Sequence, residues 1–167
     1  CIRDSGTFIF GDLIMEAAKH IGPCRARIAT LSYSMENVDA LWTAFEDGAI
    51  TQLDFVTSHF FYSHYRDTLW RALVTSLPRD RCRYAVAGTH AKVALLEPED
   101  PAKPGWCIEG SANLRSCQNI EQITVSIGDP EAHRFHGKWL DRILDRFEVS
   151  GRAKLGNAAA WAAITGA

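Results

Sequence analysis

At 167 residues, with 47% hydrophobic and 23% charged side chains, the chain is long enough to bury a core as one globular domain. That composition excludes a disordered tail, a collagen-like repeat and a disulfide-stapled miniprotein. Eighteen Lys and Arg against 20 Asp and Glu leave a formal charge of −2, which excludes a globally basic nucleic-acid coat but not a local basic face.

Leu13, Ile14, Ala17, Ala18 and Ile21 recur at helical spacing, and Gly22-Pro23 ends the run. Residues 26–33, rich in apolar and β-branched side chains, predict a strand. Ser34 is placed to cap a second helix whose buried stripe is Val38, Leu41, Trp42 and Phe45, with Gly48 just past its end. Residues 53–57 predict another strand. The segment that follows sets His59 and His64 among aromatic residues. Loops at strand ends often line clefts, and rings there could stack on a base, although a partly buried aromatic cluster is the plainer reading. A third helix carries Leu69, Trp70, Leu73, Val74 and Leu77 and stops at Pro78.

The second half opens with two strand-like runs, 82–87 and 91–96. Arg79, Arg81 and Arg83 alternate into the first of these, where they could touch phosphates or form an exposed charged face. The Pro- and acid-rich stretch 97–105 predicts a loop, and 106–109 and 122–127 predict strands. Asp129 caps a last helix with Pro130 at its first position and a stripe of Phe135, Trp139, Leu140, Ile143, Leu144 and Phe147. His133 and His136 on that helix are read as solvated, since no partner ligand for a metal is evident. Residues after 150 form a tail or a short docking helix. Helices alternating with strands, then clustered strands, with no repeat and no linker, indicate a single α/β domain over 1–150 with a mixed β-sheet flanked by helices.

The five cysteines, Cys1, Cys24, Cys82, Cys107 and Cys117, are odd in number and scattered. They suit reduced, buried thiols better than a disulfide framework or a zinc site, which favours a cytoplasmic location. No signal-peptide pattern is present in the sequence as it stands, and no apolar stretch is long enough for a transmembrane segment.

One constellation departs from core patterning: Thr89-His90-Ala91-Lys92, Glu97, Gly110-Ser111-Ala112-Asn113, and Asn119-Ile120-Glu121. On a strand, His90 and Lys92 would share one face, because the side-chain period is two. An imidazole beside an ammonium is electrostatically poor for a core and sensible for a site that holds a phosphate and attacks it. The Gly-Ser-Ala-Asn turn adds a hydroxyl, an amide donor and close backbone approach at Gly110. No Gly-x-Ser-x-Gly elbow is present, so a Ser-His-Asp hydrolase is a poor match.

His-x-Lys, four residues, an acid, then Gly-Ser-x-Asn resembles the signature of the phospholipase D superfamily, the HKD motif. The order of elements before it is similar to that of the small, single-motif members. This chain has Glu97 where the family usually has Asp, and a longer run from that acid to the glycine. The resemblance implies a phospholipase D-like α/β fold and a metal-independent phosphodiesterase without cofactors. Each active site in the family uses two motifs, so the resemblance also implies a homodimer. His90 would attack phosphorus to give a phosphohistidine, and the partner copy's equivalent would protonate the leaving oxygen and later activate water. Lys92 and Asn113 would bind the non-bridging oxygens. Ser111 would bond the phosphate or the imidazole, and Glu121 would orient the histidine ring. Glu97, Arg115 and His59 are candidate substrate-binding residues. Nucleic acid is the first-choice substrate, since the small single-motif members resemble nucleases. The alternatives are a lipid phosphodiesterase and a catalytically inactive nucleic-acid-binding module.

Overall fold

A computed structural model describes residues 2–4, 9–115 and 121–149. The elements run β1 (Ile2–Asp4), α1 (Phe10–Ile21), β2 (Cys24–Thr30), α2 (Met35–Glu46), β3 (Ile50–Ser58), α3 (His59–Tyr65), a π-helical turn (Arg66–Trp70), α4 (Arg71–Ser76), β4 (Cys82–Ala87), β5 (Val93–Pro98), β6 (Trp106–Gly110), β7 (Glu121–Ile127) and α5 (Pro130–Phe147). The strands form one mixed sheet in the order β1-β7-β6-β5-β2-β3-β4. β2, β3 and β4 are parallel, as helical crossovers require, whereas β5, β6 and β7 form an antiparallel meander that joins the first group where β5 pairs with β2.

The two faces of the sheet are covered unequally. Ala26 and Ile28 of β2, Leu53 and Phe55 of β3, and Ala94 and Leu96 of β5 pack on one side against the apolar stripes of α1, α2 and α4. Ala29, Val56, Ala85, Val93, Leu95 and Cys107 point to the other side, where α5 lays Leu140 and Leu144 over them. Central strands buried on both faces carry continuous apolar runs, and this is why β2, β3 and β5 are conspicuous in the sequence.

Several expectations need correction. The strand expected over 26–33 ends at Thr30, whose hydroxyl donates to the Ser32 carbonyl at 2.8 Å and accepts from Leu114 N at 3.2 Å, turning the chain off the sheet. Trp42 is 37% and Phe135 68% exposed, so neither belongs to its helix's buried stripe. In α2 the inward position is taken instead by Asn37, fully buried, whose side-chain oxygen accepts from Gly11 N at 2.7 Å. The segment expected as a loop around His59 is helical, with Ser58 Oγ accepting from Phe61 N at 3.0 Å. β1 was not expected at all, because three residues carry too little pattern; its strand character comes from pairing with β7. Cys1, Cys117, Asn119 and the tail after 150 lie outside the described residues.

Among the described residues Cys24, Cys82 and Cys107 are free, and burial pushes each thiol up to about 11, as expected of inert structural cysteines. No helix among the described residues is long and apolar enough to cross a membrane.

One buried cation ties the layers together. Arg27 of β2 is 4% exposed on the α5 face. Its guanidinium stands 3.3 Å from Asp54 of β3, unaligned for a hydrogen bond there, and 3.6 Å from Glu97 of β5. It donates to the Asp141 carboxylate and, at 3.4 Å, to the Gly137 carbonyl, both on α5. Removing one member of such a buried network leaves its partners desolvated and unpaired. Arg27→Ala is therefore expected to lower stability by about 3–5 kcal/mol in urea or guanidinium denaturation, well beyond the loss from a surface ion pair.

Candidate active site at the sheet edge

The parallel strands β2, β3 and β4 all end at one edge of the sheet, and β5 starts there. Since β6 and β7 alternate in direction, β6 finishes and β7 begins at the same edge. His90 and Lys92 in the β4–β5 connection, Gly110 and Ser111 at the end of β6, and Glu121 at the start of β7 are therefore gathered by topology from two connections. His90 and Lys92 stand in the connection before Val93 rather than on a strand, so their proximity does not come from strand alternation. It comes from a direct contact: Lys92 Nζ lies 2.9 Å from His90 Nδ1 and donates to the His90 carbonyl at 2.8 Å.

That contact selects a tautomer of the neutral ring. An ammonium has only donors, so Nδ1 of His90 must accept, and the neutral ring carries its proton on Nε2. Partial burial lowers the Lys92 pKa from its ordinary value, and the nearby Glu121 carboxylate opposes this.

The Gly-Ser-Ala-Asn segment is locked to both neighbours. Gly110 N donates to the Lys92 carbonyl at 3.2 Å, and Ser111 N donates to the Gln122 carbonyl at 2.9 Å. Ser111 Oγ accepts from Gln122 N at 3.0 Å and donates to the Glu121 carboxylate. Further on, Leu114 N reaches Thr30 Oγ1 and Ser34 N donates to the Leu114 carbonyl at 2.7 Å, stitching the segment to the end of β2. Asn113 stands within this stitched stretch with its Oδ1 buried and without a hydrogen-bond partner among the described residues, and it does not line the pocket described next.

An open pocket of about 430 Å³ is lined by His90, Ala91, Lys92, Val93, Glu109, Gly110, Gln122, Thr124 and His136. It unites the His-x-Lys connection with Gly110, as the motif spacing suggested. Glu109 and His136 are among the members that were not anticipated. Glu109 is the register partner of Val93, and its Oε2 lies 3.0 Å from His136 Nε2. Trp139 Nε1 donates to His136 Nδ1 at 3.3 Å. His136 is therefore a nearly buried wall residue, with a side chain 13% exposed, and not a solvated helix histidine. Its position three and four residues before Trp139 and Leu140 placed it beside the inward stripe, a signal present in the sequence.

Other candidates lie elsewhere. Glu97 is at the far end of β5, paired with Arg27, and does not reach this pocket; its substrate-binding role is not supported by position. His59 opens α3 at the same edge, and Arg115 follows Leu114 there, exposed; neither lines the pocket. Arg81 and Arg83 belong to the opposite end of β4, where Arg81 lies over the Phe45 ring at 5.3 Å and Arg83 bonds Glu148 at 3.0 Å.

Gly110 is where the geometry has least latitude. A Cβ there would come within 2.0 Å of the Gln122 carbonyl oxygen, a backbone atom. Gly110→Ala is expected to separate β6 from β7 at the site, costing about 2 kcal/mol or more in chemical denaturation. Compared with known proteins, the sequence matches no family model and no curated protein, so what this edge does rests on its own residues.

Proposed function

We propose that the chain is a metal-independent phosphodiesterase, a nuclease that hydrolyses phosphodiester bonds through a phosphohistidine, working as a homodimer. The observation that carries this reading is the Lys92–His90 contact in the wall of a pocket that Gly110 also lines, with the Ser111–Glu121 pair next to Gly110 and Gln122 in the chain. A cation, a nucleophile and a close-approaching backbone are the parts that a phosphoryl-transfer site needs.

The resting geometry suggests the order of events. Lys92 and His90 satisfy each other when no anion is bound. A phosphate oxygen is a better partner for the ammonium than a neutral imidazole, because the bond is then charge-assisted on both sides. As Lys92 turns to the phosphate, Nδ1 of His90 is released to take the ring proton and Nε2 gains the lone pair needed for attack. In this reading the Glu121 carboxylate, which takes the Ser111 hydroxyl at rest, then accepts the Nδ1–H. His90 Nε2 then forms a bond to phosphorus as the bond to the leaving oxygen breaks, and that oxygen takes a proton. Water cleaves the phosphohistidine in the second step. In the homodimer, the partner's copy of the same motif supplies the proton and then removes one from water.

The test is cleavage of single-stranded oligonucleotides in excess EDTA by the parent, His90→Ala and Lys92→Ala. Cleavage should survive EDTA, disappear in the His90 variant and fall about 10²–10³-fold in the Lys92 variant. A phosphohistidine should be trapped by quenching without acid, and light scattering should give twice the chain mass. Cleavage that persists in His90→Ala, or that EDTA abolishes, would falsify the reading.

A further inference from the structure

The connection that carries His90 from β4 to β5 has little packing of its own. Gly88 and His90 are exposed, and a Cβ at Gly88 would meet nothing within 4 Å. Ala91 is anchored, since it packs against the apolar cluster under α5, and Val93 already belongs to the strand. Between the end of β4 and Ala91 the turn is closed by hydrogen bonds. Thr89 N donates to the Ala87 carbonyl at 2.9 Å, and Thr89 Oγ1 accepts from Ala91 N at 3.1 Å. The second of these spans His90. A threonine hydroxyl that takes the amide two residues on builds a tight turn out of a side chain. Lys92 adds two further ties, from its ammonium to the His90 carbonyl and to Nδ1.

The reaction treats the two sets of ties differently. When Lys92 turns to the phosphate it gives up both of its bonds to His90, at the moment when the ring must be aimed at phosphorus. The bonds of Thr89 survive that step, because neither involves Lys92. At rest the turn therefore has two supports, and during attack it has one. A nucleophile displaced by about 1 Å can lose on the order of 10²-fold in rate, so the support that remains bears on the chemistry itself.

Resting on the phosphodiesterase reading above, we propose that Thr89 is a positioning residue, whose hydroxyl on Ala91 N holds the His90 turn in place while Lys92 is engaged with the phosphate.

The experiment has two arms. Steady-state cleavage of a single-stranded oligonucleotide in excess EDTA compares the parent with Thr89→Val, which keeps the branched shape and loses the hydroxyl, and with Thr89→Ser, which keeps the hydroxyl. Thr89→Val should lower kcat about ten- to a hundredfold and leave KM within about twofold, because Lys92 still binds phosphate. Thr89→Ser should recover most of kcat. An unchanged kcat in Thr89→Val, a loss that falls on KM instead, or a Thr89→Ser variant as slow as Thr89→Val overturns the proposal.

The second arm needs no turnover. NMR relaxation gives the order parameter of the His90 amide in the parent, in Lys92→Met, in Thr89→Val and in the double variant, while the other amides report that each protein is folded. Lys92→Met removes the ties that phosphate would draw away. The order parameter should stay near about 0.85 in each single variant and fall below about 0.6 in the double variant. Disorder in either single variant, or order in the double variant, overturns the proposal. If the parent cuts no oligonucleotide, the phosphodiesterase reading fails, and this second arm alone decides whether Thr89 holds the turn once Lys92 lets go.

Discussion

A buried guanidinium sets the position of α5, and through α5 one wall of the pocket. Arg27 reaches the Gly137 carbonyl and the Asp141 carboxylate on that helix, while Asp54 and Glu97 hold it from β3 and β5. Gly137 is without a side chain where one would press on the guanidinium, since a Cβ there would lie 3.2 Å from Arg27 Nη1. The residue before it is His136. The ion network that fastens α5 to the sheet thus also helps place the imidazole that bonds Glu109, together with the bond it receives from Trp139. It accounts for Glu97 as well: an acid a few residues past the His-x-Lys pair serves the fastening of the helix at a distance from the chemistry.

The opposite wall is fixed by backbone rather than charge. Gly110 and Ser111 bond Lys92 and Gln122 through main-chain groups, so the β5, β6 and β7 ends move as one unit. Against that rigid base, the Lys92 side chain is the adjustable part. It is half-buried, its charge is disfavoured by that burial, and it rests on an imidazole rather than on a carboxylate. A cation held this loosely is readily transferred to a stronger acceptor. Ser111 donates to the Glu121 carboxylate, which also acts electrostatically on Lys92.

How much of this was legible in the sequence varies with the physical origin of each feature. Elements stabilised by their own pattern were clear: β4 spans 82–87 as its apolar run indicates, and Asp129 caps α5 through Glu131 N and Ala132 N with Pro130 next to it. The residue types that meet at the edge were also clear, because His-x-Lys and Gly-Ser-x-Asn are improbable in a core. What failed depended on tertiary contact. Amphipathic periodicity marks a face but not how far a neighbour covers it, and so Trp42 and Phe135 are exposed. The helix at His59 was hidden because its aromatic run has the composition of a strand end, and the deciding cap is one hydroxyl on Ser58. Glu109 and His136 were missed because a lone acid on a strand and a lone histidine on a helix have no meaning until the fold brings them within 3.0 Å.

The charge balance of the whole chain bears on what kind of recognition such a site can perform. With a formal charge of −2, a carboxylate at Glu109 in the pocket wall and another at Glu121 acting on Lys92, the molecule has little to gain from a long polyanion as such. Proteins that rely on backbone phosphates neutralise several at once and lose affinity steeply with salt. Among the residues lining the pocket Lys92 is the one lysine or arginine, so this site lacks the run of cations on which such binding draws.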